Sequence, residues 1–243
     1  MLSFQVVKFR NYILDKFDLY YRDFTSGRQP NFPDFELHAR DYLHFCEDEL
    51  SKNTTSGLIN CISHLKRAMD CQLDTFLFSF NLLKLFTDNN LKFERKLEFL
   101  KATGIFSSQS LIRLNKIRNK VEHEYQMPMI QDIEVYYDLV SAFVAVLESV
   151  MIAINSNLEM ELVVDEESDS KGYIFLKYNC EEPSISVKYS HCSKDINVND
   201  EFAVNAKDYE NFAFMFKLLF LFYQSNGIVS TSYIKDRIKE VYS

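Results

Sequence analysis

An arginine, an asparagine and a histidine lie close together near the middle of the chain, at Arg118, Asn119 and His123. Histidine exchanges protons near neutral pH, and the planar guanidinium of arginine grips a phosphate through two parallel hydrogen bonds. These groups suit RNA cleavage, in which the 2′-OH attacks the adjacent phosphate while a proton moves and negative charge builds on the phosphate oxygens. Such a reaction needs no metal ion.

The surrounding stretch is locally basic and has the spacing of a helix. Four cations fall in a short run without an acidic residue: Arg113, Lys116, Arg118 and Lys120. At about 100° per residue, one apolar arc of the helix is predicted: Leu111, Leu114, Ile117 and Val121. Arg118 lies at the margin of that arc, whereas the other three cations gather on the water-facing side and are candidate RNA-binding residues. Pro128 is predicted to end the helix.

Two simpler interpretations of these residues stay open. Arg118 and Glu122 are four residues apart, a spacing that also produces an ordinary surface ion pair worth a few tenths of a kcal/mol. A histidine near the C-terminus of a helix is often only a favourable contact with the helix dipole.

The sequence from Arg118 to His123 resembles the motif of the HEPN superfamily, which has an arginine, usually followed by a polar residue, and a histidine four to six residues later. The resemblance covers the motif and, through the helical layout, residues 1–156. It implies a metal-independent endoribonuclease with His123 as the acid/base, Arg118 as the phosphate clamp, and Asn119 as a residue that orients His123 or contacts the phosphate. It also implies a homodimer in which two motifs face one cleft.

A second group of candidates lies on the long third helix, which the resemblance places beside the motif helix. His64, Lys66 and Arg67 are predicted to border the site and contact RNA. The alternative is a solvated helix face on which Lys66 is balanced by Asp70, and Arg67 by Asp74.

Charge and cysteine content limit the function classes. The net charge is −8, of which −6 belongs to residues 157–243, so the chain lacks the footprint of a general nucleic-acid binder. The five cysteines and five histidines show no spacing typical of a zinc site, and no disulfide framework is expected. No metal or cofactor is expected. Without a signal peptide or a run of membrane-spanning length, the prediction is a cytoplasmic protein with no membrane contact.

The predicted fold is mainly α. Residues 1–156 are expected to form an antiparallel bundle of six helices, including helices over 2–24, 56–80 and 131–155. Residues 157–243 are expected to form a small α+β domain of unknown role, with a three-stranded antiparallel meander. In that domain we expect the acidic run 165–169 to form a turn, 191–205 to form a loop, and 206–224 to form a buried or interface helix.

Two functions from different classes follow. The first is a ribonuclease of the toxin or antiphage-defence kind that cleaves tRNA or another RNA, with an antitoxin or other regulatory protein as a further partner. The second is a non-catalytic helical module of the same type that binds RNA, a nucleotide or a protein. A helical protein with a chance match to the motif remains a third interpretation.

Overall fold

The computed structural model describes residues 2–107, 109–124, 130–164, 171–193, 197–225 and 227–240. Its helices are α1 (Phe4–Lys16), α2 (Ala39–Lys52), α3 (Thr55–Ser79), α4 (Leu83–Asp88), α5 (Phe93–Ala102), α6 (Gln109–His123), α7 (Ile130–Asn155), α8 (Tyr209–Gln224) and α9 (Thr231–Lys239). Its strands are β1 (Tyr20–Ser26), β2 (Glu159–Val164), β3 (Lys171–Asn179), β4 (Ser184–Cys192) and β5 (Asn197–Asn205). The chain is thus mostly helical, with one sheet.

The sheet has five antiparallel strands in the order β1-β2-β3-β4-β5. Strands β2, β3 and β4 are the predicted meander, and their alternating apolar residues point into the core. The prediction of a three-stranded sheet is wrong because β1 and β5 extend it at both edges.

Both additional strands lie where the sequence favoured another structure. The predicted helix over 2–24 ends at Lys16, and Tyr20–Ser26 pairs instead with Glu159–Val164. The predicted loop 191–205 contains β5, which pairs along its whole length with β4. An edge strand needs only a free row of backbone groups to pair with, so its own sequence carries a weak signal. The turn predicted over 165–169 lies outside the described residues.

One hydrophobic core joins the helices to the sheet. Strand β1 belongs to the first 156 residues and pairs with β2, so the boundary predicted at 156 crosses a strand pairing. On the helical side, α3 and α7 contact each other and both contact α6, the helix that carries the motif. Within the described residues the fold is mixed α+β, mostly helical with one antiparallel sheet. The mostly helical content and the antiparallel strands are confirmed, but the predicted antiparallel bundle of six helices is not.

Helix α7 is strongly apolar over most of its length. By length and composition its segment Ile133–Asn155 is a candidate membrane span, of which 39% is buried. The expectation that no run reaches that length is therefore wrong. Core helices pass the same test, and the inner face of α7 packs against α3.

Two cysteines meet between neighbouring helices. Cys46 of α2 and Cys61 of α3, both fully buried, form a disulfide. The sequence did not predict this pair, because the turn at Asn53 that brings α2 back against α3 is a property of the fold.

Gly172 makes room for a close approach inside the sheet. A Cβ atom at this position would lie 2.6 Å from the carbonyl oxygen of Ser190 and 2.7 Å from Tyr20 Oη. We expect Gly172→Ala to lower the free energy of unfolding by about 1–3 kcal/mol, as overpacking usually does. Urea unfolding checks this. Lys171→Ala, at the exposed neighbouring position, should change stability by less than about 0.5 kcal/mol, and equal effects would contradict the steric explanation.

Candidate functional site

The apolar arc of α6 holds the motif against the rest of the protein. Leu111 and Leu114 are fully buried, and Ile117 and Val121 are half-buried against the core. A hydrogen bond from Asn115 Nδ2 to Glu94 Oε1 (2.8 Å) adds a contact with α5. The predicted helix and its inward face are confirmed from Gln109 to His123. Pro128, the predicted end of the helix, lies outside the described residues.

Arg118 and Asn119 contact each other on the surface of α6. Arg118 is half-buried, at the margin of the apolar arc as predicted. Its Nη1 donates a hydrogen bond to Asn119 Oδ1 over 3.2 Å, and Asn119 is exposed. The structure does not describe the side chain of Glu122, the other residue predicted to pair with Arg118.

His123 is exposed on the last turn of α6. It follows Arg118 by five residues, which on a helix corresponds to a rise of about 7.5 Å and a rotation of about 140°. Among the described contacts, none joins His123 to Arg118 or Asn119. The structure therefore brings the arginine to the asparagine but leaves the histidine on a different side of the helix.

The other three cations of the motif helix point into solvent. Arg113, Lys116 and Lys120 are exposed and make no ion pair with another described residue. Their charges are thus available to an anion, and they extend the basic surface along α6.

Lys66 has two partners within the protein. Its ammonium lies 2.5 and 2.6 Å from the two carboxylate oxygens of Asp70, and 4.1 Å from the ring centre of Phe93. Only 14% of its side chain is exposed. These contacts favour a structural role that joins α3 to α5, which is the simpler alternative for this residue.

His64 packs among aromatic rings. Its ring stacks on Tyr42 at 6.4 Å and meets the edge of Phe45 at 5.6 Å. Nδ1 is buried without a hydrogen-bond partner among the described residues. Burial lowers the pKa of His64, and the nearby charge of Arg67 lowers it further. A neutral, stacked imidazole is typical of core packing and does not attract phosphate.

Arg67 is exposed beside a groove of about 530 Å³ between α3 and the segment before α2. The groove is mainly acidic, lined by Asp34, Glu36, Asp70 and Asp74 among others. Asp74 pairs with Lys96, not with Arg67 as the alternative proposed. Lys66 and Lys96 balance Asp70 and Asp74, but the carboxylates of Asp34 and Glu36 repel phosphate, so this surface disfavours RNA.

The fold brings together two clusters of titratable side chains that the sequence did not indicate. Tyr209 lies in a groove of about 340 Å³ with Phe86 and Leu91, and burial raises its pKa to about 12. Tyr12, Tyr20 and His191 meet where α1 crosses the sheet, with the two phenol oxygens bonded to each other. Burial raises the pKa of both phenols and lowers that of His191. Both clusters join residues far apart in sequence, so no local motif marks them.

Metal-binding residues are scattered. In the part of the chain that the structure describes, no three His, Cys, Asp or Glu side chains come together in a way that would hold a metal ion.

The pH dependence of stability tests the structural role of His64. Since its pKa is lower in the folded than in the unfolded chain, protonation favours unfolding, and its contribution to stability falls as pH drops below about 6.5. We expect the unfolding free energy from urea titrations to fall between about pH 7.5 and about pH 5, and His64→Phe to reduce that fall while keeping the ring packing. His44→Phe, at an exposed position on α2, is the control. An unchanged pH dependence in His64→Phe would contradict the assignment.

Comparison with known proteins does not assign the chain to a family. No protein-family model matches the chain, and neither a curated protein nor a solved structure matches it. Arg118, Asn119 and His123 on α6 remain the predicted site, which none of these comparisons tests.

Proposed function

We propose that this chain is a metal-independent endoribonuclease of the HEPN kind, with Arg118, Asn119 and His123 as its catalytic residues. The observation that carries the proposal is the contact between Arg118 and Asn119 on the surface of α6. It orients a half-buried guanidinium at the edge of a basic helix face that ends in an exposed histidine. A fixed arginine fork loses little freedom when it binds phosphate.

In the proposed reaction the ribose 2′-oxygen attacks the neighbouring phosphorus, and its proton passes to neutral His123. Arg118 holds the non-bridging oxygens as their negative charge increases. The bond to the 5′-oxygen then breaks, and that oxygen takes a proton from the histidinium. The products are a 2′,3′-cyclic phosphate and a 5′-hydroxyl, so that the proton balance closes without a metal ion.

Substrate binding is assigned to Arg113, Lys116 and Lys120, which are exposed beside the motif. A net charge of −8 confines phosphate attraction to this local patch. His64, Lys66 and Arg67 have no part in the proposed site, because their side chains are packed, paired or set beside carboxylates.

A second copy of the chain completes the site in this proposal. One α6 directs Arg118 and His123 about 140° apart, so a neighbouring copy is required to place the missing group at the same phosphate. The biological setting proposed is a cytoplasmic toxin or antiphage-defence nuclease that acts on tRNA or another RNA, with an antitoxin or similar protein as its regulator.

The second candidate is a non-catalytic module that binds RNA, a nucleotide or a protein through α6. Arg118 and His123 point in different directions from one helix, which favours this candidate. Binding through a basic face does not require both side chains to reach the same phosphate. Cleavage measurements separate the two functions.

The decisive experiment measures RNA cleavage in EDTA, with folding checked by circular dichroism. We expect His123→Ala to lower the turnover rate by about 10²–10⁴-fold and Arg118→Ala by about 10²–10³-fold. Arg113→Ala is the matched control: it removes a cation of the same helix outside the motif, and should weaken binding without lowering the rate at saturation. Wild-type turnover in His123→Ala would exclude the mechanism, and RNA binding without cleavage by the wild type would support the module.

Mixing the two inactive variants tests whether one site uses two copies. If Arg118 of one copy works with His123 of the other, half of the mixed dimers' sites are intact, and about a quarter of wild-type activity should return in a random mixture. A site built within one chain returns none. Each variant alone, at the same total concentration, is the control.

A further inference from the structure

The outward face of α7 carries a regular row of exposed residues. They are spaced alternately three and four residues apart: Val135, Asp138, Ala142, Ala145, Ser149 and Ile152. We call this row the outer seam. The two ends of the row are bulky and strongly exposed, with Val135 at 65% and Ile152 at 56%, whereas its centre consists of small side chains.

The opposite face of the same helix is in the core. Val140, Phe143, Val144, Leu147 and Met151 are all buried. One side of the helix is thus packed against its own chain and the other is exposed, although both sides are largely apolar. Scattered exposed apolar residues need no explanation, but exposed apolar and small residues aligned along one helix are a feature of interaction surfaces.

The spacing indicates what kind of surface would cover the outer seam. Side chains spaced alternately three and four residues apart form a nearly straight row along a helix. Such a row packs against another helix that crosses the first at a shallow angle. The small side chains at Ala142, Ala145 and Ser149 allow two helix backbones to approach closely. The row extends over about 26 Å, enough for five turns of helix to pack.

The order of the residues indicates a second copy of the same helix. When two α7 helices run antiparallel about a two-fold axis near residues 143–144, Val135 faces the partner subunit's Ile152, and Asp138 faces the partner subunit's Ser149. At the centre Ala142 faces the partner subunit's Ala145. Large side chains meet large ones and small side chains meet small ones, so the row is complementary to itself in size, as a two-fold interface requires. The Ser149 hydroxyl donates to the carbonyl oxygen of Ala145 in its own helix, so the complementarity is one of shape.

The flanks of the outer seam are compatible with this pairing. On one side Glu148 is held by Arg40 of α2 through two hydrogen bonds from Nε, at 2.9 and 3.2 Å, so its charge is balanced within each copy. On the other side lie the apolar residues Leu139 and Val146. The exposed Glu134 lies on the same flank as Glu148 but at the far end of the row from the two-fold axis, so the Glu134 side chains of the two copies are far apart and rows of like charge do not meet.

We propose that the chain forms a homodimer through antiparallel packing of the outer seams of two α7 helices. The proposal does not depend on RNA cleavage, since it rests on α7 alone. The two-fold axis is perpendicular to the plane that contains the two α7 helices. An element that lies above this plane in one copy therefore lies above it in the other copy as well. Helix α6, which packs on α7, then lies on the same side of the pair in both copies.

The test is sedimentation of the full chain, with mass and not activity as the measurement. Wild type should sediment as two 28.7 kDa chains at micromolar concentration. Ala145→Glu places a charge at the tight centre of the outer seam and should raise the dissociation constant at least tenfold. Gln5→Glu, on an exposed position of α1, adds the same charge elsewhere and should leave the mass unchanged.

A charge pair tests the direction and the register. Ala142→Lys and Ala145→Glu should each weaken self-association, and an equimolar mixture should restore a dimer because position 142 faces position 145 of the partner only in the antiparallel arrangement. A monomeric wild type, a dimer indifferent to Ala145→Glu, or a mixture that stays monomeric would overturn the proposal. So would a monomer that binds phosphatidylcholine vesicles through α7, since a lipid surface would then be the occupant.

Discussion

A buried aromatic cluster around Tyr178 fixes the helices on the sheet. The hydroxyl of Tyr178, in β3, donates a hydrogen bond to the carbonyl oxygen of Phe80 at 2.6 Å, and its ring packs against Phe80 and Phe216. Phe99 of α5 joins the same cluster through Phe216. Burial raises the pKa of Tyr178, so the phenol keeps its proton. A large ring whose hydroxyl must also be satisfied permits few arrangements, and α3, α5 and α8 are positioned together.

This frame determines what α6 displays. Helix α5 reaches α6 through Glu94 and Asn115, and the leucines of α6 are buried beside α3 and α7. The helix is left with one face in the core and a basic face in solvent. Arg118 lies where the two faces meet. A guanidinium at that margin loses part of its hydration but stays accessible, which strengthens its attraction for an anion compared with a fully solvated lysine.

Residue type alone was a poor guide to function on α3. His64 and Lys66 have side chains that attract attention in any search for RNA-binding residues, yet aromatic neighbours surround the first, and a carboxylate and a phenyl ring engage the second. The pair of Lys66 with Asp70, four residues later on α3, could be predicted from the sequence. The rings of α2 beside His64 and the ring of Phe93 in α5 approach these side chains only in the folded chain. The same applies to α7, whose composition predicts a helix without showing which of its apolar sides the rest of the protein covers.

The elements with a strong hydrophobic period could be predicted from the sequence. Residues at three- and four-residue steps predicted α3, α6 and α7, and alternation predicted β2, β3 and β4, because each of these elements buries one face of its own. The sequence also predicted Arg118, Asn119 and His123 as catalytic residues, and this assignment stays a prediction. That β1 and β5 are strands follows from the folded chain, since each pairs with backbone supplied by another part of the chain. The folded chain also determines which polar side chains have partners within the protein and which face water, because a partner distant in sequence leaves no local pattern.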